Sequence, residues 1–226
     1  MKKHIPNILT LCNLLSGIIG ITLVFENELL YASIGIWIGA VFDFFDGFAA
    51  RFVKADSLLG KQLDSLADMV TFGLLPSFIV YQLFLNTTDI KIWASLAFLI
   101  ALFSALRLAK FNIDERQTSD FIGLNTPASA IFISALPYYA DSAHYSYFIT
   151  PLLLSIITVA ISFLMVSEIR FFSFKIKNLT WAKDKWRINL LAIAVVLFFI
   201  LQVLSLPLII ILYLLFSLAD NKSNKN

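Results

Sequence analysis

Apolar runs separated by short polar links make up almost the whole chain. From Ile5 to Phe25 the run is broken only by small residues and by Asn7, Thr10 and Asn13, whose three-residue spacing draws one polar stripe along an apolar helix. After the acidic turn Glu26 to Glu28, a second run extends from Leu29 to Ala50 and carries Asp43 and Asp46 near its end. A polar link from Arg51 to Lys61 leads into a third helix, from Gly60 to about Leu85, with Asp64 and Asp68 in its first turns and a kink predicted at Pro76. A fourth run follows the loop Asn86 to Lys91 and ends in Ser104 to Asn112. Gly123 and Pro127 mark a turn before a fifth, which ends near Tyr139, and a sixth spans Tyr145 to Val166. Beyond a basic link from Lys175 to Arg187, the stretches Ile188 to Leu204 and Leu206 to Leu218 form either a tight helical hairpin or one broken helix.

Composition turns this pattern into a class. Of 226 residues 59% are hydrophobic and only 14% charged, which excludes an ordinary soluble domain and predicts an all-α polytopic membrane protein. Residues 1–226 read as one integral membrane domain, with a catalytic region over 1–175 and a C-terminal hairpin over 186–220. Lys2, Lys3 and His4 before an apolar run resemble a secretory signal, but no small-residue cleavage site follows, so the run reads as a retained first transmembrane helix. Charge then chooses the topology. With eight crossings, every Lys and Arg except Lys91 falls on one side, whereas seven would strand Lys222 and Lys225 on the other. The expectation is a bundle of about eight transmembrane helices in a prokaryotic cytoplasmic membrane, both termini cytoplasmic, with an acidic site facing the cytoplasm. The basic segment 170–187 serves that topology and meets anionic lipid heads. Nothing in the sequence points to a nucleic-acid partner.

Candidate chemistry is concentrated between Asp43 and Asp68. Asp43 and Asp46 are spaced i,i+3 and Asp64 and Asp68 i,i+4, so each pair projects from one face of its helix and four carboxylates can converge. A carboxylate deep in an apolar helix is disfavoured by roughly 2.5–3.5 kcal/mol, and divalent cations with oxygen ligands offset several at once. The alternative, in which Asp64 and Asp68 only complement a helix N-terminus, leaves Asp43 and Asp46 at the wrong end of their own helix. Other chemistries lack residues: Cys12 lies in an apolar run, His4 and His144 fall on opposite sides, and no glycine-rich phosphate loop appears. An ion-coupled transporter remains as a competing class, but such sites usually lie near the midplane between repeated halves, and the chain shows no repeat. Arg107 and Lys110, spaced i,i+3, either meet a substrate beside the acids or anchor the membrane edge. The stripe Asn7, Thr10 and Asn13 likewise serves either helix-to-helix hydrogen bonds or a substrate.

The spacing D-x2-D-G-x2-A-R-x8-G-x3-D-x3-D, met by Asp43, Asp46, Gly47, Ala50, Arg51, Gly60, Asp64 and Asp68, resembles the signature of the CDP-alcohol phosphatidyltransferases. The resemblance implies transfer of a phosphatidyl group from a CDP-linked lipid to a small alcohol with release of CMP, and a homodimer. It also implies Mg2+ or Mn2+ as cofactor, two ions, held by Asp43, Asp46, Asp64 and Asp68, with Asp68 also the general base. Asn7, Thr10, Gly47, Ala50, Arg51, Gly60 and Lys61 would then meet CDP-diacylglycerol. The segments Ser104 to Asn112, Phe121 to Ala128 and Leu164 to Ser167 look like their counterparts in the serine-using members of the family, which makes L-serine the expected acceptor and Arg107, Lys110, Asn112 and Thr126 its candidate contacts. Glycerol 3-phosphate and inositol phosphate stay open as acceptors. One departure is Asn125, where that group commonly has proline.

Overall fold

A computed structural model describes residues 4–53, 57–114, 121–172 and 181–223. Two long helices open the chain, α1 (Ile5–Phe25) and α2 (Leu29–Val53), joined by a turn in which Asn27 takes a positive φ of 61°. They pack along their whole length through small residues. A Cβ on Gly39 would run into Thr71 and lie 2.9 Å from both Asn13 Oδ1 and Ser16 Oγ, so only glycine allows α2 this close to its neighbours.

The third crossing segment is one continuous rod of three parts: α3 (Leu58–Asp68), a π-helical turn (Met69–Leu74) and α4 (Leu75–Thr87). The kink expected at Pro76 takes the form of this widened turn. Proline lacks an N–H and its ring collides with the carbonyl four residues back. The Leu75 N–H reaches back to the Val70 carbonyl instead. The fourth segment is α5 (Lys91–Ala94), a short 3-10 turn (Ser95–Ala97) and α6 (Phe98–Ile113). The fifth is divided at Ala135 into α7 (Thr126–Ser134) and α8 (Leu136–Asp141), with Pro137 in the first turn of the second piece.

Two expectations need correction. Helix six is shorter than Tyr145 to Val166: α9 runs Pro151–Val166, because Pro151 holds Thr150 in extended backbone, and the Thr150 side chain caps the helix from there. The last part of the supposed basic link is helical, since α10 spans Trp181–Leu201. The fold is all-α as expected, with one short bridge among the helices: β1 (Phe121–Ile122) pairs antiparallel with β2 (Arg170–Phe171). Between them and α7, Gly123 at φ 76° lies against the Met165 carbonyl, where any side chain would collide.

The last two apolar stretches are a hairpin. α10 ends at a 3-10 turn (Gln202–Ser205) with Gln202 at φ 50°, and α11 (Leu206–Ser223) returns beside it. The rings of Trp186 and Phe216 meet at 5.4 Å; one continuous helix would hold them about 45 Å apart at roughly 1.5 Å per residue.

Five helices or helix groups are long and apolar enough to cross a bilayer, and α9 is a shorter apolar helix. Large apolar side chains are exposed along the outside, among them Ile8, Leu15 and Ile19 of α1 and Phe44, Phe48 and Phe52 of α2. On a soluble protein such a surface would be an anomaly; on an integral membrane protein it is the face that meets lipid. The core beneath gathers Ile36, Phe72, Leu75, Ile79, Phe84, Ile133 and Leu154 around the α4 segment, all fully buried. Of the cations used above to assign sides, Lys2, Lys3, Lys54, Arg116, Lys175, Lys177 and Lys225 lie outside the described residues.

Candidate active site

Three helices bring the acids together. α2 delivers Asp43 and Asp46 from its last turns, and α3 delivers Asp64 and Asp68 from the face turned towards α1 and α2. Asp43, Asp64 and Asp68 each present a carboxylate oxygen within 4.8 Å of the other two. Asp46 stands beside this triad, 5% exposed, its Oδ2 accepting a 2.7 Å hydrogen bond from the Thr10 hydroxyl. Asp68, also buried, accepts from the Asn13 amide at 3.1 Å. The polar stripe of α1 therefore orients two of the acids. Thr10, expected as a contact to the CDP-lipid, holds Asp46 and also lines the neighbouring cavity. Asn13 is a site residue outside the expected substrate and metal contacts, and its signal in the sequence is its three-residue spacing from Thr10.

The cluster has the donors to hold a cation. Asp64 Oδ1 and Asn13 Oδ1 are buried without a hydrogen-bond partner among the described residues. Buried acceptors are nearly always satisfied, and Asp64 is itself one of the three converging carboxylates. Oxygen-only donors of this kind suit hard divalent ions such as Mg2+ or Mn2+. The π-helical turn begins at the residue after Asp68, and Thr71 within it donates to the Asn13 carbonyl at 2.9 Å. Widened turns of this sort commonly accompany functional sites.

Against the cluster lies a cavity of about 460 Å³ lined by residues of α1, α2 and α3. Asn7, Thr10, Gly47, Ala50, Gly60 and Lys61, all assigned to the CDP-lipid from the sequence, are in its wall together with Asp46 and Asp64. A Cβ on Gly47 would meet nothing within 4 Å, so this glycine opens onto the cavity. Gly60, by contrast, is tight: it lies in the first turn capped by Ser57, where its N–H donates to Ser57 Oγ at 2.9 Å and a Cβ would come within 3.3 Å of Asn7 Oδ1. Arg51 is not in the wall; it is exposed and its Nε donates to the Gly47 carbonyl at 2.9 Å.

The expected acceptor residues divide. Arg107 and Lys110 line one small cavity of about 30 Å³ with Ile122, Ser167 and Glu168. Arg107 is only 6% exposed, its Nε and Nη2 have no hydrogen-bond partner among the described residues, and Asp68 lies within electrostatic range. Its guanidinium sits 5.8 Å from the Phe111 ring centre. Asn112 is turned elsewhere: its amide donates to Ser65 Oγ at 2.9 Å and its carbonyl accepts from Lys61 Nζ at 3.2 Å, tying α6 to α3. Thr126 is fully buried at the start of α7, its hydroxyl without a partner among the described residues, and is not in that cavity wall. Asn125, at the position where proline is common, caps α7 by accepting from the Ala128 N–H at 2.8 Å.

Converging acids beside an open cavity, on a helical bundle with an apolar, lipid-facing exterior, define a membrane protein with a candidate metal site. Residues 3–166 match the family model of the CDP-alcohol phosphatidyltransferases, and the chain belongs to that family. It is 38% identical over 174 residues to the CDP-diacylglycerol–serine O-phosphatidyltransferase of Bacillus subtilis, which covers 76% of this chain and 92% of that protein. The Helicobacter pylori (strain 26695) enzyme of the same name is 30% identical over 219 residues, 94% of this chain and 89% of its own length. An archaetidylserine synthase of Methanothermobacter thermautotrophicus is 31% identical over 169 residues, 74% of this chain and 69% of its own.

Proposed function

We propose that the chain is a phosphatidylserine synthase, which transfers the phosphatidyl group of CDP-diacylglycerol to the hydroxyl of L-serine and releases CMP. The observation that carries the reaction class is the convergence of Asp43, Asp64 and Asp68 beside a cavity edged by Gly47. Likeness to serine-using relatives over most of both chains supports the acceptor.

Asp43, Asp64 and Asp68 would hold the divalent metal, and Asp46, kept in place by Thr10, adds a fourth carboxylate, enough for two ions. When bound, Mg2+ or Mn2+ supplies positive charge to the diphosphate of the donor. Gly47, Ala50 and Gly60 leave room for the nucleotide at the backbone, while Asn7 and Lys61 offer it polar contacts from the cavity wall. Arg51, exposed at the end of α2, is free to meet the diphosphate only by leaving the Gly47 carbonyl. Arg107 takes the serine carboxylate, with Lys110 beside it and Asn112 and Thr126 as polar supports of the surrounding helices. Asp68, oriented by Asn13, takes the proton of the serine hydroxyl. The serine oxygen bonds to the phosphorus of the phosphatidyl group as the bond from that phosphorus to the bridging oxygen of CMP breaks.

The same reading places eight crossings in a prokaryotic cytoplasmic membrane, with both termini and the acids on the cytoplasmic side, residues 1–175 as the catalytic region, and a homodimer. The Trp186–Phe216 contact supports the eighth crossing by folding α11 back along α10. CMP release by purified protein with CDP-diacylglycerol, Mn2+ and L-serine tests the proposal. Release that requires both metal and serine is expected; release only with glycerol 3-phosphate or inositol phosphate would move the enzyme to a sibling class, and none with any alcohol would overturn the reading.

A further inference from the structure

The α10–α11 hairpin lies beyond the region matched by the family model, which ends at residue 166, and none of the four acids or cavity-lining residues comes from it. Its side chains nevertheless hold the segment that precedes it. Tyr213 of α11, 6% exposed, donates its hydroxyl to the Phe172 carbonyl at 2.9 Å, and its ring packs against Phe171 at 5.3 Å and edge-on against Phe172 at 5.2 Å. Further along α11, Asn221 donates to the Arg170 carbonyl at 2.7 Å. From α10 the Arg187 guanidinium lies 5.5 Å from the Phe172 ring centre. Arg170, Phe171 and Phe172 are thus held from both arms of the hairpin.

Those residues form and follow β2, whose partner is β1, with Phe121 opposite Phe171 and Ile122 opposite Arg170. Two residues per strand cannot be stable alone, since even longer isolated hairpins are marginal in water. The bridge therefore depends on what clamps it. From β1 the contacts lead inward: Phe121 lies 6.3 Å from the Phe111 ring, which underlies the Arg107 guanidinium, and Ile122 is part of the wall around Arg107. Tyr213 is itself within electrostatic range of Arg107.

We propose that Tyr213 is a positioning residue for the acceptor alcohol, anchoring β2 and, through β1, the wall of the Arg107 cavity. The inference rests on the serine reading above. Buried guanidinium donors bind a carboxylate strongly only if the surrounding wall keeps water out and holds the planar fork in place. A wall released from α11 loses both conditions. The donor cavity, built from α1, α2 and α3, shares no lining residue with this wall and keeps its shape.

The test is Tyr213→Phe in the full chain, purified in detergent, with CMP release measured against serine at saturating CDP-diacylglycerol and then the reverse. Loss of one buried hydrogen bond predicts a rise of about five- to tenfold in serine KM, with the CDP-diacylglycerol KM unchanged. A merely structural tyrosine would lower the melting temperature and the active fraction, hence kcat, and leave both KM values alone. An unchanged serine KM, or both KM values rising together, overturns the proposal. Should Tyr213→Phe fail to fold, Asn221→Ala releases the other clamp and must shift the same KM ratio in the same direction. If the wild type releases CMP only with a different alcohol, the serine reading has failed, and the ratio measured with that alcohol still decides the role of Tyr213.

Discussion

Replacing Asp68 by asparagine should stabilise the metal-free protein while abolishing both its activity and its response to metal. Three carboxylate oxygens within 4.8 Å of one another repel, when ionised, by roughly 3.5 kcal/mol per pair at an effective dielectric constant of about 20. Asp68 takes part in two of the three pairs, so neutralising it removes up to about 7 kcal/mol of repulsion. Solvent limits what can be observed, because at pH 7 a proton neutralises an ordinary carboxylate for about 4 kcal/mol. The gain from Asp68→Asn is therefore bounded near 4 kcal/mol and shrinks as pH falls and protons do the same work. Asparagine keeps an oxygen for the 3.1 Å bond from Asn13, so the packing is preserved. Thermal unfolding in detergent, with EDTA or with saturating Mn2+, measures both effects. In EDTA the variant should melt several degrees above wild type, at about 2–4 °C per kcal/mol for a chain of this size. Mn2+ should raise the wild type markedly and the variant little, and CMP release by the variant should vanish. A variant less stable than wild type in EDTA, or one stabilised equally by Mn2+, would refute the view that Asp68 belongs to a metal-binding cluster. Activity close to wild type would remove it as the base.

Further outcomes test other parts of the site. Thr10→Val removes the hydroxyl that holds Asp46 and should lower kcat/KM about tenfold, the effect of one buried charge-assisted hydrogen bond; an unchanged value would mean that Asp46 needs no orienting. Gly47→Leu should leave the fold intact, since its Cβ meets nothing within 4 Å. It should nevertheless raise the CDP-diacylglycerol KM by filling the cavity, and an unaltered KM would place the nucleotide elsewhere. Arg107→Ala should raise the serine KM far more than the donor KM, on the order of a hundredfold for a buried charged pair, whereas equal effects would argue against a serine site there.

Particular residues show where sequence reasoning reached and where it stopped. The acids were legible because spacing of three and four residues on a helix has one geometric outcome whatever surrounds it. Apolar length left the last two stretches open between a hairpin and one broken helix, and the Trp186–Phe216 contact shows α11 folded back along α10. Thr10 and Asn13 were visible as a stripe, but their partners lie on α2 and α3, and no local pattern shows which polar face meets which. The π-helical turn escaped because proline announces a break without stating how the backbone will absorb it. The β1–β2 bridge and its clamp by Tyr213 are contacts between residues far apart in the chain, each of which reads locally as part of an apolar run or a loop.

By itself, then, the sequence determined a membrane-embedded helical enzyme with an acidic site and a specified family, because hydrophobic length, charge bias and residue spacing act within single segments. Tertiary structure alone decided that Asp43, Asp64 and Asp68 share one point while Asp46 stands aside on Thr10. It also decided that Asn112 ties helices together instead of lining the cavity of Arg107. Those outcomes follow from the depth, rotation and approach of packed helices, which small residues such as Gly39 set through contacts made across the bundle.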